Sequence, residues 1–224
     1  MSNTKQNDFS FLLVALMLLL VAPPVLEAIL GWRGPIIRAV PYSLVLIMGV
    51  WSLRMTGKWF HTVVALAVIG IVLEVLHAVS HNYAFAYLTL CSFLLFLCLC
   101  TFLVLRQVLT DADVDLNRIA GAFCAYLMLG FIWSVAYMVL FSLDQGSFQG
   151  LPDIGDNLRL LDLQYFSFVT MTTLGYGDVV PVSEIARALA VAEAVIGQIY
   201  LAVLVAALVG AYVAKTNTWR NRDD

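Results

Sequence analysis

Thr172-Thr173-Leu174-Gly175-Tyr176-Gly177-Asp178 is the stretch on which the reading of this chain turns. A short apolar segment, 160–172, runs directly into it, and a long apolar run, 184–213, follows soon after. At average residue frequencies, T-x-G-Y-G-D arises in a chain of this length with a chance of about 10⁻⁴. Gly-Tyr-Gly-Asp also has the chemistry of an ordinary outer-loop turn. A turn would leave the short helix-length segment before it unexplained.

The surroundings are those of a membrane. Hydrophobic residues make up 62% of the chain and charged residues 12%, with a mean hydropathy of +0.92, far above ordinary soluble composition. A bilayer core of about 30 Å needs roughly 20 helical residues. Six stretches approach or exceed that length: 9–30, 36–53, 59–79, 83–105, 119–143 and 184–213. The segment 160–172 would reach only part-way across. The connections are short and leave no room for a soluble enzyme domain. HExxH, GxSxG and paired intramembrane aspartates are also missing. The first run is too long, and too poor in a small-x-small cleavage site, for a signal peptide, so it is expected to stay. A net charge of −3 without blocks of like charge suggests neither nucleic-acid binding nor a polybasic lipid anchor. Cys91, Cys98, Cys100 and Cys124 lie in apolar runs without CxxC spacing and read as packing residues.

Lysine and arginine placement sets the expected orientation. With the N-terminus inside, Lys5, Arg54, Lys58, Arg106, Arg118, Lys215, Arg220 and Arg222 lie inside, against Arg33, Arg38, Arg159 and Arg187 outside. Both termini are therefore expected in the cytoplasm. The outward segment carries Asp144, Asp153, Asp156, Asp162, Asp178 and Glu184, an acidic mouth that would concentrate cations.

A short segment, T-T-L-G-Y-G-D and then a long helix together resemble the potassium channel superfamily, whose filter is a T-V-G-Y-G loop between a half-membrane pore helix and an inner helix. The resemblance implies that Thr173, Leu174, Gly175, Tyr176 and Gly177 line an ion-selectivity filter. Potassium would be held by the backbone carbonyls of Thr173, Leu174, Gly175 and Tyr176, with the Thr173 hydroxyl innermost. Successive carbonyls can face one axis only if some residues take angles closed to side chains with a Cβ, which Gly175 and Gly177 supply. Irregular backbone at membrane depth needs protein or an aqueous path around it, and a pore provides both. One strand cannot surround an ion, so a homotetramer in a lipid bilayer is implied. Neither a cofactor nor an organic substrate is implied, and potassium itself is the permeant ligand.

The same resemblance makes Asp162 to Thr172 the pore helix, with Asp162 near its positive start and its negative end toward the cavity. Thr172, Asp178, Tyr165, Phe166 and Glu193 are expected to support the filter. Tyr165 and Phe166 stand where the family often has two tryptophans, and Phe166 cannot donate a hydrogen bond to Tyr176. Val169 replaces a glutamate that in some members pairs with the aspartate after the filter, so that buried clamp is expected to be missing. Leu174 replaces the commoner valine. Glu193, alone in an apolar helix, reads first as a structural partner behind the filter and second as a cavity charge. Gly197 lies where inner helices often bend and is assigned as a gating hinge, with close helix packing the competing explanation. Glu27 and Glu74 raise the question posed by Glu193, and Glu74 is placed to pair with His77 one turn on.

Four helices before the pore module also match the layout of voltage-gated channels, but 83–105 contains no lysine or arginine. A helix without charges cannot supply steep voltage dependence. Asp111, Asp113 and Asp115 alternate in a linker that lacks the turn glycine and distal glutamate of a calcium loop, and read as solvated. The expected fold is an all-α membrane protein with six transmembrane helices, a re-entrant pore helix and a filter loop. Its divisions are a charge-less peripheral domain (1–106), a cytoplasmic linker (107–118), a pore domain (119–213) and a short tail (214–224). The expected function is passive potassium conduction, not voltage-gated through the fourth helix. The alternatives are a non-selective cation channel or a non-conducting assembly subunit. By resemblance, its small size and short tail suggest a bacterial inner membrane.

Overall fold

In the computed structural model, which describes residues 9–30, 36–52, 58–80, 82–110, 116–152 and 156–220, every long apolar stretch is a helix. The elements are α1 (Phe9–Leu30), α2 (Ile36–Ser52), α3 (Lys58–Ser80), α4 (Tyr83–Thr110), α5 (Leu116–Leu143), β1 (Phe148–Gln149), α6 (Asp156–Met171), β2 (Val180–Pro181) and α7 (Glu184–Arg220). Helices satisfy every backbone N–H and C=O within one segment, which hydrocarbon surroundings require. Five of them, α1, α3, α4, α5 and α7, are long and apolar enough to cross a membrane. The chain is an integral membrane protein. The sixth expected crossing is a helix of 17 residues, α2, about 26 Å long. Among the described residues its apolar part is Tyr42–Trp51.

Three helices run further than expected. α4 continues to Thr110, α5 begins at Leu116 and α7 extends to Arg220. A bilayer surface does not cap a helix, and Arg106, Gln107 and Lys215 are good helix formers that carry it into water. Asp111, Asp113 and Asp115 lie outside the described residues. α6 also starts earlier, at Asp156. Asp162 thus sits in the second turn, and not at the positive helix start.

Neighbours in sequence pack as neighbours in space from α1 to α5, and α1 also packs on α5. α5 is the hub, touching α4, α1, α6 and α7. Its first turns are locked to α1 and α4 by three contacts. The Phe9 N–H donates to Asn117 Oδ1 at 2.7 Å, Arg118 Nε donates to the Val108 carbonyl at 2.6 Å, and the Phe9 ring covers Gly121 so closely that a Cβ there would lie 2.8 Å from it. One apolar core fills α1 to α5. A second, around Tyr137, Phe141, Phe148, Leu163, Phe166 and Val179, lies where α5, α6 and the start of α7 meet β1. All four cysteines are free, Cys100 and Cys124 buried and Cys91 and Cys98 exposed.

Candidate functional site

α6 is a helix of 16 residues, about 24 Å long, and the loop that follows turns the chain back on itself. Phe148–Gln149 before α6 pairs antiparallel with Val180–Pro181 after the loop, so the strand going in and the strand coming out lie side by side. The Val182 N–H donates to the Ser147 carbonyl at 2.9 Å and extends that seam. At its tightest point Gly150, at φ +90°, faces the Asp178 carbonyl, and a Cβ there would lie 1.8 Å from that oxygen.

The last carbonyls of α6 would be orphans at a helix end. Here the loop supplies their donors. The N–H groups of Thr172, Thr173 and Leu174 donate to the carbonyls of Phe168, Thr170 and Val169 at 3.0, 3.0 and 2.9 Å. Beyond them the backbone alternates: Thr173, Gly175 and Gly177 have φ of 60°, 58° and 80°, while Leu174 and Tyr176 between them do not have positive φ. Positive φ was expected at the glycines, but not at a β-branched threonine, where it is a genuine outlier. No residue-type signal in the sequence marks Thr173 for that conformation. Nothing lies within 4 Å of a Cβ built on Gly175 or Gly177, so their need for glycine comes from backbone angle and not from crowding within the protomer.

Tyr165 does more than the sequence suggested. Its hydroxyl donates to Asp178 Oδ2 at 2.7 Å, and its ring lies parallel to Tyr176, centroids 6.4 Å apart and planes within 9°. Val169 cannot clamp Asp178, as expected, but the aspartate is held all the same, by the tyrosine four positions earlier on α6. That hydrogen bond, helped by the Val179 N–H, keeps the Asp178 carboxyl below the ordinary carboxylate range. Phe166 plays a different part. It is buried in an edge-to-face triangle with Tyr137 and Phe148, at centroid distances of 5.1 and 5.4 Å, which seats α6 on α5 and β1.

Glu193 is completely buried. The Tyr137 hydroxyl donates to Oε2 at 2.6 Å and the Ser167 hydroxyl to Oε1 at 2.5 Å, joining α5, α6 and α7 through one carboxyl. Ser167 Oγ also lies 2.8 Å from the Gly130 carbonyl, which accepts from Ser134 as well. Gly197 faces Met171 at the end of α6, where a Cβ would lie 2.6 Å from Met171 Cγ and 3.0 Å from its carbonyl oxygen. Close packing therefore accounts for the glycine in this conformation, within a continuous α7. The expected Glu74–His77 pair does not form, because His77 Nδ1 bonds the Asn82 carbonyl at 3.2 Å. The Glu27 side chain lies outside the described residues. Among the described residues no three metal-ligating side chains come together.

Residues 121–214 match the ion channel family. The matched family is one of channels and not of enzymes. The chain is 46% identical over 57 residues to Two pore potassium channel b of Oryza sativa subsp. japonica, a match covering 25% of this chain and 14% of that protein. It is 40% identical over 82 residues to Protein LctB of Geobacillus stearothermophilus, covering 35% of this chain and 59% of that protein. In both cases the match spans less than two thirds of the relative.

Proposed function

We propose that four copies of this chain form a potassium-selective channel whose filter is Thr173, Leu174, Gly175, Tyr176 and Gly177. The observation that carries the proposal is the alternation of positive φ at Thr173, Gly175 and Gly177. A peptide chain of uniform handedness points its carbonyls in turning or opposite directions. One that alternates brings successive peptide groups parallel, so their oxygens can line one side. Four such strands around an axis replace the hydration shell of a dehydrated potassium ion.

Further observations support this reading. Leu174 and Tyr176 are 54% and 67% exposed on the isolated protomer, and α7 buries only 11% of its apolar window. A helix that is apolar all round requires lipid or protein against it, and in a tetramer other copies of α7 would supply part of that cover. α6 aims its negative end at the loop, favouring a cation beyond it. In this scheme residues 119–213 are the pore domain, 1–106 the peripheral domain, 107–118 the linker and 214–224 the tail. α2 would complete six crossings, with both ends cytoplasmic in a bacterial inner membrane. Thr172, Asp178, Tyr165, Phe166 and Glu193 hold the filter, and Gly197 serves as a gating hinge only if opening separates it from Met171. A relative named as a potassium channel supports this assignment.

The test is planar-bilayer recording of the purified protein with potassium replaced by sodium, and with barium as blocker. A reversal potential that follows the potassium gradient is expected. One that ignores the substitution would leave a non-selective cation channel, and absence of flux in every condition a non-conducting assembly subunit.

A further inference from the structure

Two consecutive prolines, Pro23 and Pro24, lie inside α1. A carbonyl in a helix accepts from the N–H four residues on, or three on where the turn tightens, and proline has no N–H to give. Leu20 is the one residue of α1 whose carbonyl loses both donors, since three on is Pro23 and four on is Pro24. A carbonyl stranded in this way inside an apolar span is costly, and in membrane helices the freed group is served by a neighbouring helix, a side chain or water.

Here the donor comes from α6. Gln164 Nε2 donates to the Leu20 carbonyl at 3.4 Å, at the long end for such a bond. Gln164 is only 8% exposed, and only the nitrogen of its amide can donate to a carbonyl oxygen, so chemistry fixes which way the amide faces. The prolines explain why a glutamine is buried there, and the glutamine explains how α1 tolerates the prolines. The bond also lies where α1 leaves the protein's interior. Before the prolines Phe9, Leu12, Ala15, Leu16 and Leu19 are buried in the core, and beyond Pro23 no described side chain of α1 is buried. Helices bend at prolines, so Gln164 is bonded at the joint between a packed arm and an uncovered one. Along α6 it stands five residues, about 7.5 Å of helix, before Val169, whose carbonyl accepts from the N–H groups of Leu174 and Gly175.

We propose that Gln164 is a positioning residue for conduction: its amide completes the proline break of α1 and so fixes where α6 presents the filter loop, which makes α1 a regulator of the open state. The effect on conduction rests on the function proposed above, and the tie between the two helices does not. Without the bond α6 is free to shift against α1, and the loop N–H groups that depend on the Val169 carbonyl shift with it.

The test is a double-mutant cycle on the full chain. Gln164→Leu keeps the bulk and removes the donor, and Pro24→Ala restores a backbone N–H four residues after Leu20. Melting temperature is read in one detergent, and single-channel open fraction in planar bilayers with potassium on both sides. Gln164→Leu alone should lower the melting temperature by about 2–4 °C, as for one modest hydrogen bond in a chain of this size. In the Pro24→Ala background the same substitution should cost nothing, because the Leu20 carbonyl is then served within α1. Equal losses in the two backgrounds would overturn the tie. Pro24→Ala alone separates positioning from support. It should melt no lower than the parent, yet reduce the open fraction at least about threefold, as Gln164→Leu does, the factor set by a bond of that strength. Single-channel current and reversal potential should stay as they are, and the double variant should lose no more than either single one. An open fraction unchanged in both single variants would overturn the positioning role. If Gln164→Leu fails to fold, the open fraction of Pro24→Ala decides. A parent that conducts in no condition would overturn the proposed function and the effect on opening with it, while the melting cycle still decides the tie.

Discussion

Thr173 and Tyr165 are the two residues whose structural part differs most from what their types suggest. A β-branched residue at φ 60° costs on the order of 1–3 kcal/mol and persists only where its surroundings impose it. Here the hydrogen bonds from the loop to the end of α6 impose it. Gly175 has open space around it in the protomer, so Gly175→Asp should fold, assemble to the same size on gel filtration, and conduct no potassium in liposome flux. Loss of assembly instead would mean that the loop holds copies together and does not only line them. The Tyr165–Asp178 bond has a definite pH sense. The folded carboxyl sits below its ordinary value, so at neutral pH it is ionised and bonded, and its contribution is lost only as pH falls below about 4. Tyr165→Phe should therefore shift the acid limb of potassium flux to higher pH and leave the alkaline limb in place, as read from flux between pH 3 and 8.

At the scale of elements, α6 is held from three sides, and each hold makes its own demand. The β1–β2 seam needs Gly150, because any Cβ there meets the Asp178 carbonyl and its φ of 90° is closed to side chains. Gly150→Ala is expected to cost about 3 kcal/mol and to lower the melting temperature by several degrees, with flux falling in parallel. A variant with parental stability would show that the seam yields. The Glu193 carboxyl joins α5, α6 and α7 at once. Glu193→Ala strands the Tyr137 and Ser167 hydroxyls in a buried site and should cost on the order of 3 kcal/mol, whereas Glu193→Gln keeps an acceptor and should cost less. Thermal unfolding of the two variants in one detergent compares them, and equal losses would mean that both carboxyl oxygens are needed as acceptors and that one does not suffice. The third hold is Gly197 under Met171, and in the proposed channel it would bear on gating. A close contact with the end of α6 lets motion of α7 reach the loop directly.

For the whole molecule, α5 divides the chain into a bundle that it helps to close and a module that it supports. α4 carries no basic residue from Tyr83 to Leu105, and moving one charge through 100 mV is worth only about 2.3 kcal/mol. Conductance should change little with voltage between −100 and +100 mV in symmetric potassium without divalent blockers. A steep curve abolished by deleting α1 to α4 would show that the bundle senses voltage by another route. Assembly belongs to the same scale. α7 leaves most of its apolar surface uncovered within one copy, which is where further copies are proposed to pack.

Much of this was legible in the order of residues, because hydrocarbon permits so few backbone solutions. Apolar runs of bilayer length must be helices, so the positions of α1 to α5 and α7 followed from composition, within a few residues except where polar helix formers carried α4 and α7 outward. T-T-L-G-Y-G-D marked its own place because glycines at alternate positions are useful only to a special backbone. Tertiary structure alone decided which groups meet across the sequence. Tyr165 takes the aspartate that Val169 cannot hold, Glu193 finds hydroxyls on two other helices, His77 turns from Glu74 to a carbonyl, and Gly197 lies under Met171. Those pairings depend on the distances and rotations at which separate helices pack, and the periodicity within any one helix carries no record of them.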